Sequence, residues 1–375
     1  MTKSTPRVAF LLYAMYGGGI ERVMLTLFKE LIKYPIAIDL VLIEKAGNLL
    51  SEVPPEVRII ELPGAKNYGR LRRVLPLMRY LRQEKPTVLL AHFTQYNVIA
   101  PIAKLLACTP LRVILVEHLG FAPLEDQHSN NPNERVGLVN FLRRVFYRRA
   151  DVVAAVSQGL AQQLDAHLRF KPGHVQVLYN PVVDETLLLK AQASLDHPWF
   201  QSGQPPVFLG VGRLMPQKDF STLIQAFAIV RQKQQARLVI LGEGDERQKL
   251  QDEIKELNLE EDVSLPGFTD NPYAYMSRAS AFVLSSQFEA FGLVVAEALA
   301  CGCQVISTDC PYGPNEILQS GKYGHLVPVG NPQALADAME KATKDVVDPD
   351  KLRLRAEEFS LEKATSKYLE LMKLK

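Results

Sequence analysis

Along the chain, short runs of β-branched and other apolar residues alternate with stretches whose apolar positions recur at helical spacing. Residues 8–13 form an unbroken apolar run, and residues 21–34 then set Val23, Leu27 and Leu31 on one stripe. The same alternation predicts strands over 39–43, 58–62, 87–92, 112–117, 152–156 and 175–178. Runs that are apolar throughout belong to strands buried on both faces, so the pattern predicts parallel sheets covered by helices. The periodicity lapses over 195–206, where His197-Pro198-Trp199 and Ser202-Gly203-Gln204-Pro205-Pro206 read as a linker. It restarts with predicted strands over 207–211, 237–241, 263–265, 281–285 and 304–308. A final helix is predicted over 360–375, with Leu361, Ala364, Tyr368 and Leu371 on one stripe. The expected organisation is two doubly wound α/β domains in tandem, over 1–190 and 191–359, followed by that helix.

A chain of 375 residues is too long for one ordinary core and suits two domains. Its 47% hydrophobic and 22% charged residues exclude a disordered tail, a collagen and a disulfide scaffold. The four cysteines (Cys108, Cys301, Cys303 and Cys310) read as reduced thiols, and no further pair completes a zinc set around Cys301 and Cys303. The most apolar long stretch, 88–107, is interrupted by His92, Gln95, Asn97 and Lys104, so no membrane span is expected. Lys3 and Arg7 before the apolar residues 8–15 resemble the front of a signal peptide. Three glycines, Gly17, Gly18 and Gly19, and the charged Glu21-Arg22 follow at once. A first strand ending in a glycine turn is the better reading, with a cytoplasmic location.

The stretch from Ser285 to Glu297 (SSQFEAFGLVVAE) follows a predicted strand and opens a helix. Open α/β sheets bind ligands at the carboxyl ends of their strands, where helix N-termini offer free amides to phosphate. Glu289 and Glu297 would stand about 12 Å apart if the whole segment were helical, roughly the reach of an extended nucleotide-sugar. At the end of the second half's first strand, Gly210 and Gly212 permit close backbone approach. Arg213 and Lys218 there add a planar fork and a point charge suited to a diphosphate.

Glu289-x7-Glu297, the G-R-L-x-x-Q-K run at Gly212–Lys218 and T-D-C-P-Y-G-P-N-E-I-L at 308–318 together resemble the retaining family 4 glycosyltransferases of GT-B architecture. The likeness is dense over 207–329. It is looser in the first half, resting there on Gly17-Gly18-Gly19-Ile20-Glu21-Arg22 and Glu117-His118. It implies two Rossmann-like domains facing a central cleft, donor site in the second, with the final helix crossing back to the first.

The resemblance also implies roles. Glu297 would bond the donor ribose, and Glu289 hydroxyls of the transferred sugar. Backbone amides of Phe291, Gly292 and Leu293 would approach the sugar and distal phosphate. Arg213 and Lys218 would neutralise the departing diphosphate, with Gly18 and Gly19 closing on it. Phe268 would neighbour the base, or else serve as a core aromatic. His118 would stand near the anomeric centre, with His92 as the competing histidine. A leaving group stabilised by fixed cations requires no divalent metal, so no metal or cofactor is expected and the nucleotide-sugar, a UDP-sugar ahead of a GDP-sugar, is a co-substrate. Similar sequences often carry Arg where this chain has Asn315, which removes one phosphate contact from that loop.

Residues 1–190 carry 24 Lys and Arg against 16 Asp and Glu, and residues 191–375 carry 19 against 25. Two basic stretches stand out in the first half. Over 70–82, Leu71, Leu75, Met78 and Leu81 form an apolar stripe; over 135–149, Leu138, Phe141, Leu142 and Val145 form another. Each stripe either packs on its own sheet or lies on an anionic membrane. Together with the basic first half they favour a saccharide or lipid-linked acceptor and peripheral membrane contact. No recognition motif accompanies the charge, so nucleic acid is not expected as a partner. Residues 122–134, polar and rich in turn formers, read either as a loop over the acceptor or as an inert surface excursion.

Three other classes compete. A dinucleotide-dependent oxidoreductase would explain glycines after strand one and an acid, Asp39, about 20 residues on, but Arg22 stands where the third glycine of G-x-G-x-x-G belongs. A non-catalytic subunit is disfavoured by the intact Arg213, Lys218, Glu289 and Glu297. A nucleotide-sugar epimerase of the same architecture suits the carboxylate pair less well.

Overall fold

A computed structural model of the protein describes residues 5–67, 69–118, 141–345 and 347–374. Contacts divide the chain into one unit of Met1–Pro181 with Leu361–Lys375, and another of Val182–Ser360.

The first unit holds β1 (Arg7–Leu12), β2 (Ala37–Leu42), β3 (Val57–Glu61), β4 (Val88–His92), β5 (Arg112–Glu117), β6 (Val152–Ala155) and β7 (Gln176–Val177). They form one parallel sheet in the order β3-β2-β1-β4-β5-β6-β7. Val8 to Leu12 are all fully buried, as a strand covered on both faces requires. Helix Gly19–Leu31 covers one face with Val23, Leu27, Phe28 and Leu31, and Phe10 meets Phe28 edge-on at 5.0 Å. Each such side chain removed from water contributes about 1.5–3 kcal/mol.

The second unit repeats the plan with β8 (Val207–Val211), β9 (Arg237–Leu241), β10 (Val263–Gly267), β11 (Ala281–Leu284), β12 (Val305–Thr308) and β13 (His325–Val327). Its parallel order is β10-β9-β8-β11-β12-β13. In both units the order reverses between the first and fourth strands. That reversal opens a crevice at the carboxyl ends of β1 and β4, and of β8 and β11, where ligands bind in such sheets.

Several expectations change. The stretch 182–190, assigned from sequence to the first domain, groups with the second unit, because helix Glu185–Gln192 packs on helix Pro272–Met276. Nor is 195–206 a junction. His197, Trp199 and Phe200 form an aromatic cluster with Tyr275 and Arg237, inside the second unit. The final helix, Leu361–Met372, groups with the first unit, where Arg112 Nε donates to the Leu371 carbonyl at 2.7 Å.

The stripe read over 70–82 is displaced. Helix Val74–Glu84 begins after a 3-10 turn and buries Val74, Leu77, Tyr80 and Leu81, leaving Leu75 exposed. Over 141–147 the reading inverts: Arg143 and Tyr147 are buried while Phe141 and Val145 face solvent. Residues 122–134 and Leu138 lie outside the described residues.

Near the start of β2, Asp39 is wholly buried and accepts from Arg7 Nη1 (2.8 Å), Arg58 Nε and Nη2 (3.0 and 2.8 Å) and the Tyr80 hydroxyl (2.6 Å). Burial pushes this carboxyl up, but the bonds from Arg58 and Tyr80 and the charge of Arg7 outweigh it and hold its pKa below the usual value. A depressed carboxyl contributes stability above its unfolded pKa and loses it as pH falls through the folded one. Asp39→Asn should cost about 2 kcal/mol at pH 7, less than a fully buried pair because Arg7 and Arg58 are partly exposed and rehydrate. The difference in urea midpoint between variant and parent should shrink as the pH falls below about 4; a gap independent of pH would refute the account.

Candidate active site

In the second unit, β8 ends at Val211 and the chain turns through Gly212 to a 3-10 turn at Pro216–Lys218. Asp219 then caps helix Phe220–Lys233 by accepting from Thr222. The loops after β8, β9 and β10 are stitched together. Gly212 N donates to the Leu241 carbonyl, Leu214 N to that of Glu243 and Gly242 N to that of Gly267. A Cβ on Gly242 would stand 1.9 Å from the Gly212 oxygen, so only glycine allows this approach.

Beyond β11, Ser285 and Ser286 are buried, and Ser285 Oγ donates to the Lys218 carbonyl. Lys218 Nζ reaches Glu289 Oε1 at 2.5 Å, and Ser286 Oγ donates to the same oxygen at 2.8 Å. Gln217 Nε2 holds the Phe288 carbonyl, and Gln287 N donates to the Gln217 carbonyl. The loops after β8 and β11 therefore behave as one body at the switch point. Arg213 is exposed, with no ion pair among the described residues.

The helix expected to carry both carboxylates starts late. It spans Leu293–Ala300, with Gly292 at φ 88° before it, so Glu297 alone is helical. Glu289 instead bridges to Tyr312, which precedes helix Gly313–Ile317. The spacing of about 12 Å along one helix therefore does not apply. Glu297 is half-buried and accepts from the Tyr273 hydroxyl at 3.4 Å. Phe291 is buried against Phe359, and Leu293 begins the helix. Phe268 is 64% exposed just after β10, so it is not a core aromatic. Asn315 donates to Asp309 at 2.8 Å and so ties its loop together.

In the first unit, Gly17 turns at φ 94° and Gly18 precedes helix Gly19–Leu31, so backbone amides open at the carboxyl end of β1. Gly47, at φ 114°, lets the following loop press on Met15, whose amide donates to Ala46. His118 follows β5 and is 6% exposed; its Nε2 lies 2.8 Å from Nδ1 of the buried His92. Burial drives the His92 pKa far down, aided by His118, and pushes that of His118 to about 3. Glu117, fully buried, accepts from Thr94 (2.8 Å), Arg143 (2.9 Å) and Tyr147 (2.7 Å). That buried carboxylate explains the inverted helix, because meeting its charge takes precedence over burying Phe141 and Val145.

Sequence reasoning missed Ser286 and the joining of the two histidines. The available signal was that both histidines close adjacent parallel strands. Sequence reasoning also passed over a D-x-D pair, Asp348-Pro349-Asp350, which has the spacing of metal-binding carboxylates, but Asp348 caps helix Pro349–Ala356 and the exposed Asp350 pairs with Arg353. Among the described residues, no three His, Cys, Asp or Glu side chains converge as metal ligands. No described helix is long and apolar enough to cross a membrane. The cysteines are free, and burial pushes the Cys303 and Cys310 thiols up to about 12. A cavity of about 570 Å³ beside Tyr323, His325 and Lys351 lies at the amino ends of β12 and β13, the edge opposite Arg213 and Glu289.

Comparison with known proteins gives two family matches. The family described as Glycosyltransferase Family 4 matches residues 17–186, and Glycosyl transferases group 1 matches residues 195–359. A Campylobacter jejuni N-acetylgalactosamine-N,N'-diacetylbacillosaminyl-diphospho-undecaprenol 4-alpha-N-acetylgalactosaminyltransferase is 31% identical over 92% of each chain. Among solved structures, Anabaena Alr3699/HepE in complex with UDP superposes with a TM-score of 0.78 at 21% identity, covering 98% of this chain and 99% of that one. The lipopolysaccharide outer core galactosyltransferase WaaB, in its apo form, gives 0.75 at 20% identity over 98% and 99%. The dinucleotide-dependent alternative finds no support, and Asp39 is committed to Arg7, Arg58 and Tyr80.

Proposed function

This chain belongs to glycosyltransferase family 4, and we propose that it moves a hexose or N-acetylhexosamine from a UDP-sugar to a lipid-linked or other saccharide acceptor. The transfer proceeds with retention at the anomeric carbon and without a divalent metal. The observation that carries this reading is the Lys218–Glu289 pair at the carboxyl ends of β8 and β11, with Arg213 exposed on the same loop as Lys218. Breaking a glycosyl–phosphate bond builds positive charge on the sugar and negative charge on the diphosphate. Lys218, held in place by Glu289, stabilises the second as a positioned charge does, and Arg213 adds its charge from the same loop. Glu289 meets the sugar, Glu297 the ribose, Phe268 the base, and the amides from Phe291 to Leu293 the distal phosphate. His118 and the amides near Gly18 and Gly19 are the first unit's substrate contacts.

The UDP bound to HepE supports the choice of base, and the undecaprenol-linked substrate in the Campylobacter enzyme's name supports a lipid-linked acceptor. Peripheral contact with an anionic membrane belongs to the same proposal. Phe141 and Val145 are exposed, with Arg144, Arg148 and Arg149 on the same helix and its end, and each basic residue near such a surface is worth about 1 kcal/mol.

Thermal shift with UDP, GDP, UDP-sugars and NAD(P), on the parent and Glu297→Ala, tests the reading. A ligand at 100 times its dissociation constant should add about 2.7 kcal/mol. UDP should stabilise the parent and the variant less. Stabilisation by NAD(P) alone would overturn the reading, and stabilisation by GDP alone would replace the base. Transfer surviving EDTA would uphold metal independence; its loss, restored by magnesium, would refute it.

A further inference from the structure

β4 and β5 pair in parallel, and their carboxyl ends carry His92 and, one residue past β5, His118. Nδ1 of His92 and Nε2 of His118 are 2.8 Å apart, so one proton lies between them. Both rings are buried, and burial keeps both neutral at pH 7, so each carries a single proton. Two arrangements remain. If His118 donated from Nε2, His92 would keep its own proton on its Nε2, which is buried with no partner among the described residues. If His92 donates from Nδ1, that partnerless Nε2 is a bare lone pair and His118 keeps its proton on Nδ1. A buried N–H without an acceptor is the rarer defect, which selects the second arrangement.

The surrounding backbone holds the two rings in register. Phe93, directly after His92, sits at φ 80° and ψ 138°, a conformation bulky side chains avoid and which persists only where neighbours enforce it. Its carbonyl accepts from Tyr96 N and Asn97 N, both at 3.0 Å, so helix Thr94–Ala107 starts with no intervening loop. That helix grips the neighbouring strand end: Asn97 donates to the Val116 carbonyl and Thr94 to Glu117, the residue before His118.

We propose that His92 is a positioning residue: by donating from Nδ1 it fixes His118 as the Nδ1–H tautomer, a hydrogen-bond donor whose Nε2 is not available as a base. The role of His118 toward substrate rests on the function proposed above, but the tautomer does not. His118 then offers an N–H to an oxygen of the substrate, and the proton of the acceptor hydroxyl passes to an oxygen of the departing diphosphate.

The test is a long-range proton–nitrogen correlation spectrum of the full chain labelled with 15N-histidine, on the parent, His92→Phe, His92→Asn and, for assignment, His118→Gln. The parent should show His118 protonated at Nδ1 and bare at Nε2. His92→Phe removes the donor and should move the His118 proton to Nε2 in part or whole. His92→Asn, whose amide N–H can stand in for Nδ1–H, should return it to Nδ1 and recover part of the rate. With UDP-sugar, His92→Phe should lower kcat by about ten- to a hundredfold, as loss of an orienting partner does, with KM for the donor within about threefold. A parent His118 protonated at Nε2 overturns the proposal, and that spectrum decides even if a variant fails to fold. A His92→Phe variant with unchanged tautomer and rate also overturns it. A parent with the expected tautomer that neither UDP nor GDP compounds stabilise refutes the donor site proposed above and leaves this assignment standing.

Discussion

Glu289→Gln should lower kcat by about 10²–10³-fold and leave UDP affinity within about threefold. The substitution is nearly isosteric, so the loop after β11 keeps its shape, and the amide oxygen can still accept from Ser286 at the place where the carboxylate does at 2.8 Å. What disappears is the negative charge that meets Lys218 Nζ at 2.5 Å and, on the proposed reading, the growing positive charge of the sugar. A carboxylate opposite an oxocarbenium-like centre acts mainly in the transition state, so the loss belongs in kcat. Lys218, released from its partner, remains free for the diphosphate. Steady-state turnover of a UDP-sugar with calorimetric UDP titration separates the two quantities. A variant at full rate would remove Glu289 from the chemistry; one that lost only UDP affinity would move it to the nucleotide. A double-mutant cycle with Lys218→Met should show strong non-additivity, as contacting residues in one network do.

Gly313→Ala should be the most disruptive single methyl in the second unit's site. A Cβ there would stand 1.7 Å from the Phe291 carbonyl oxygen and 2.2 Å from its carbon, backbone atoms that cannot swing aside. Phe291 cannot retreat easily, because its ring meets Phe359 at 5.3 Å and Arg355 lies over the far ring at 4.9 Å. Tyr312, next to Gly313, already sits at φ 81° and ψ −101°. The clash should cost about 3 kcal/mol, the upper end of ordinary overpacking. It should also displace the amides from Phe291 to Leu293 and weaken UDP binding more than tenfold, about 1.4 kcal/mol. Gly69→Ala is the control, since a Cβ there meets nothing within 4 Å among the described residues, and its stability should stay within about 0.5 kcal/mol of the parent. Urea midpoints and UDP thermal shifts on both variants check the prediction, and equal behaviour of the two would refute it.

Much of the architecture was legible because it is written in unbroken apolar runs. β5, β8 and β9 match their expected limits, since each run is bounded by polar or turn-forming residues. β13 was missed: a strand of three residues, His325–Val327, has too few positions for any period. The basic loop and the glutamates after β8 and β11 were legible because strand-end position and residue type coincide there. Their mutual geometry was not, because Lys218 and Glu289 are 71 positions apart and meet only through strand order. The helix over 141–147 misled for a physical reason. Its apolar periodicity is real, but the face turned inward is chosen by Glu117, a buried charge on another element. Hydrophobic pattern ranks faces by transfer energy alone, and a buried carboxylate outweighs a valine and a phenylalanine. The histidine pair was hidden likewise: each residue was visible, but only the pairing of β4 with β5 joins them.

The grouping of helix Leu361–Met372 with the first unit has a consequence for how the chain is made. A ribosome releases the seven strands of the first sheet early, yet the helix that buries Tyr368, Leu369 and Met372 in that unit is still to be translated. At about 5–20 residues per second, the nascent first unit waits on the order of ten seconds or more while all of Val182–Ser360 emerges. Throughout that interval the surface meant for Leu361–Met372, including part of helix Gly19–Leu31, stays bare to solvent and chaperones. The first unit to be synthesised is therefore the last to be completed, and the second is free to fold before it.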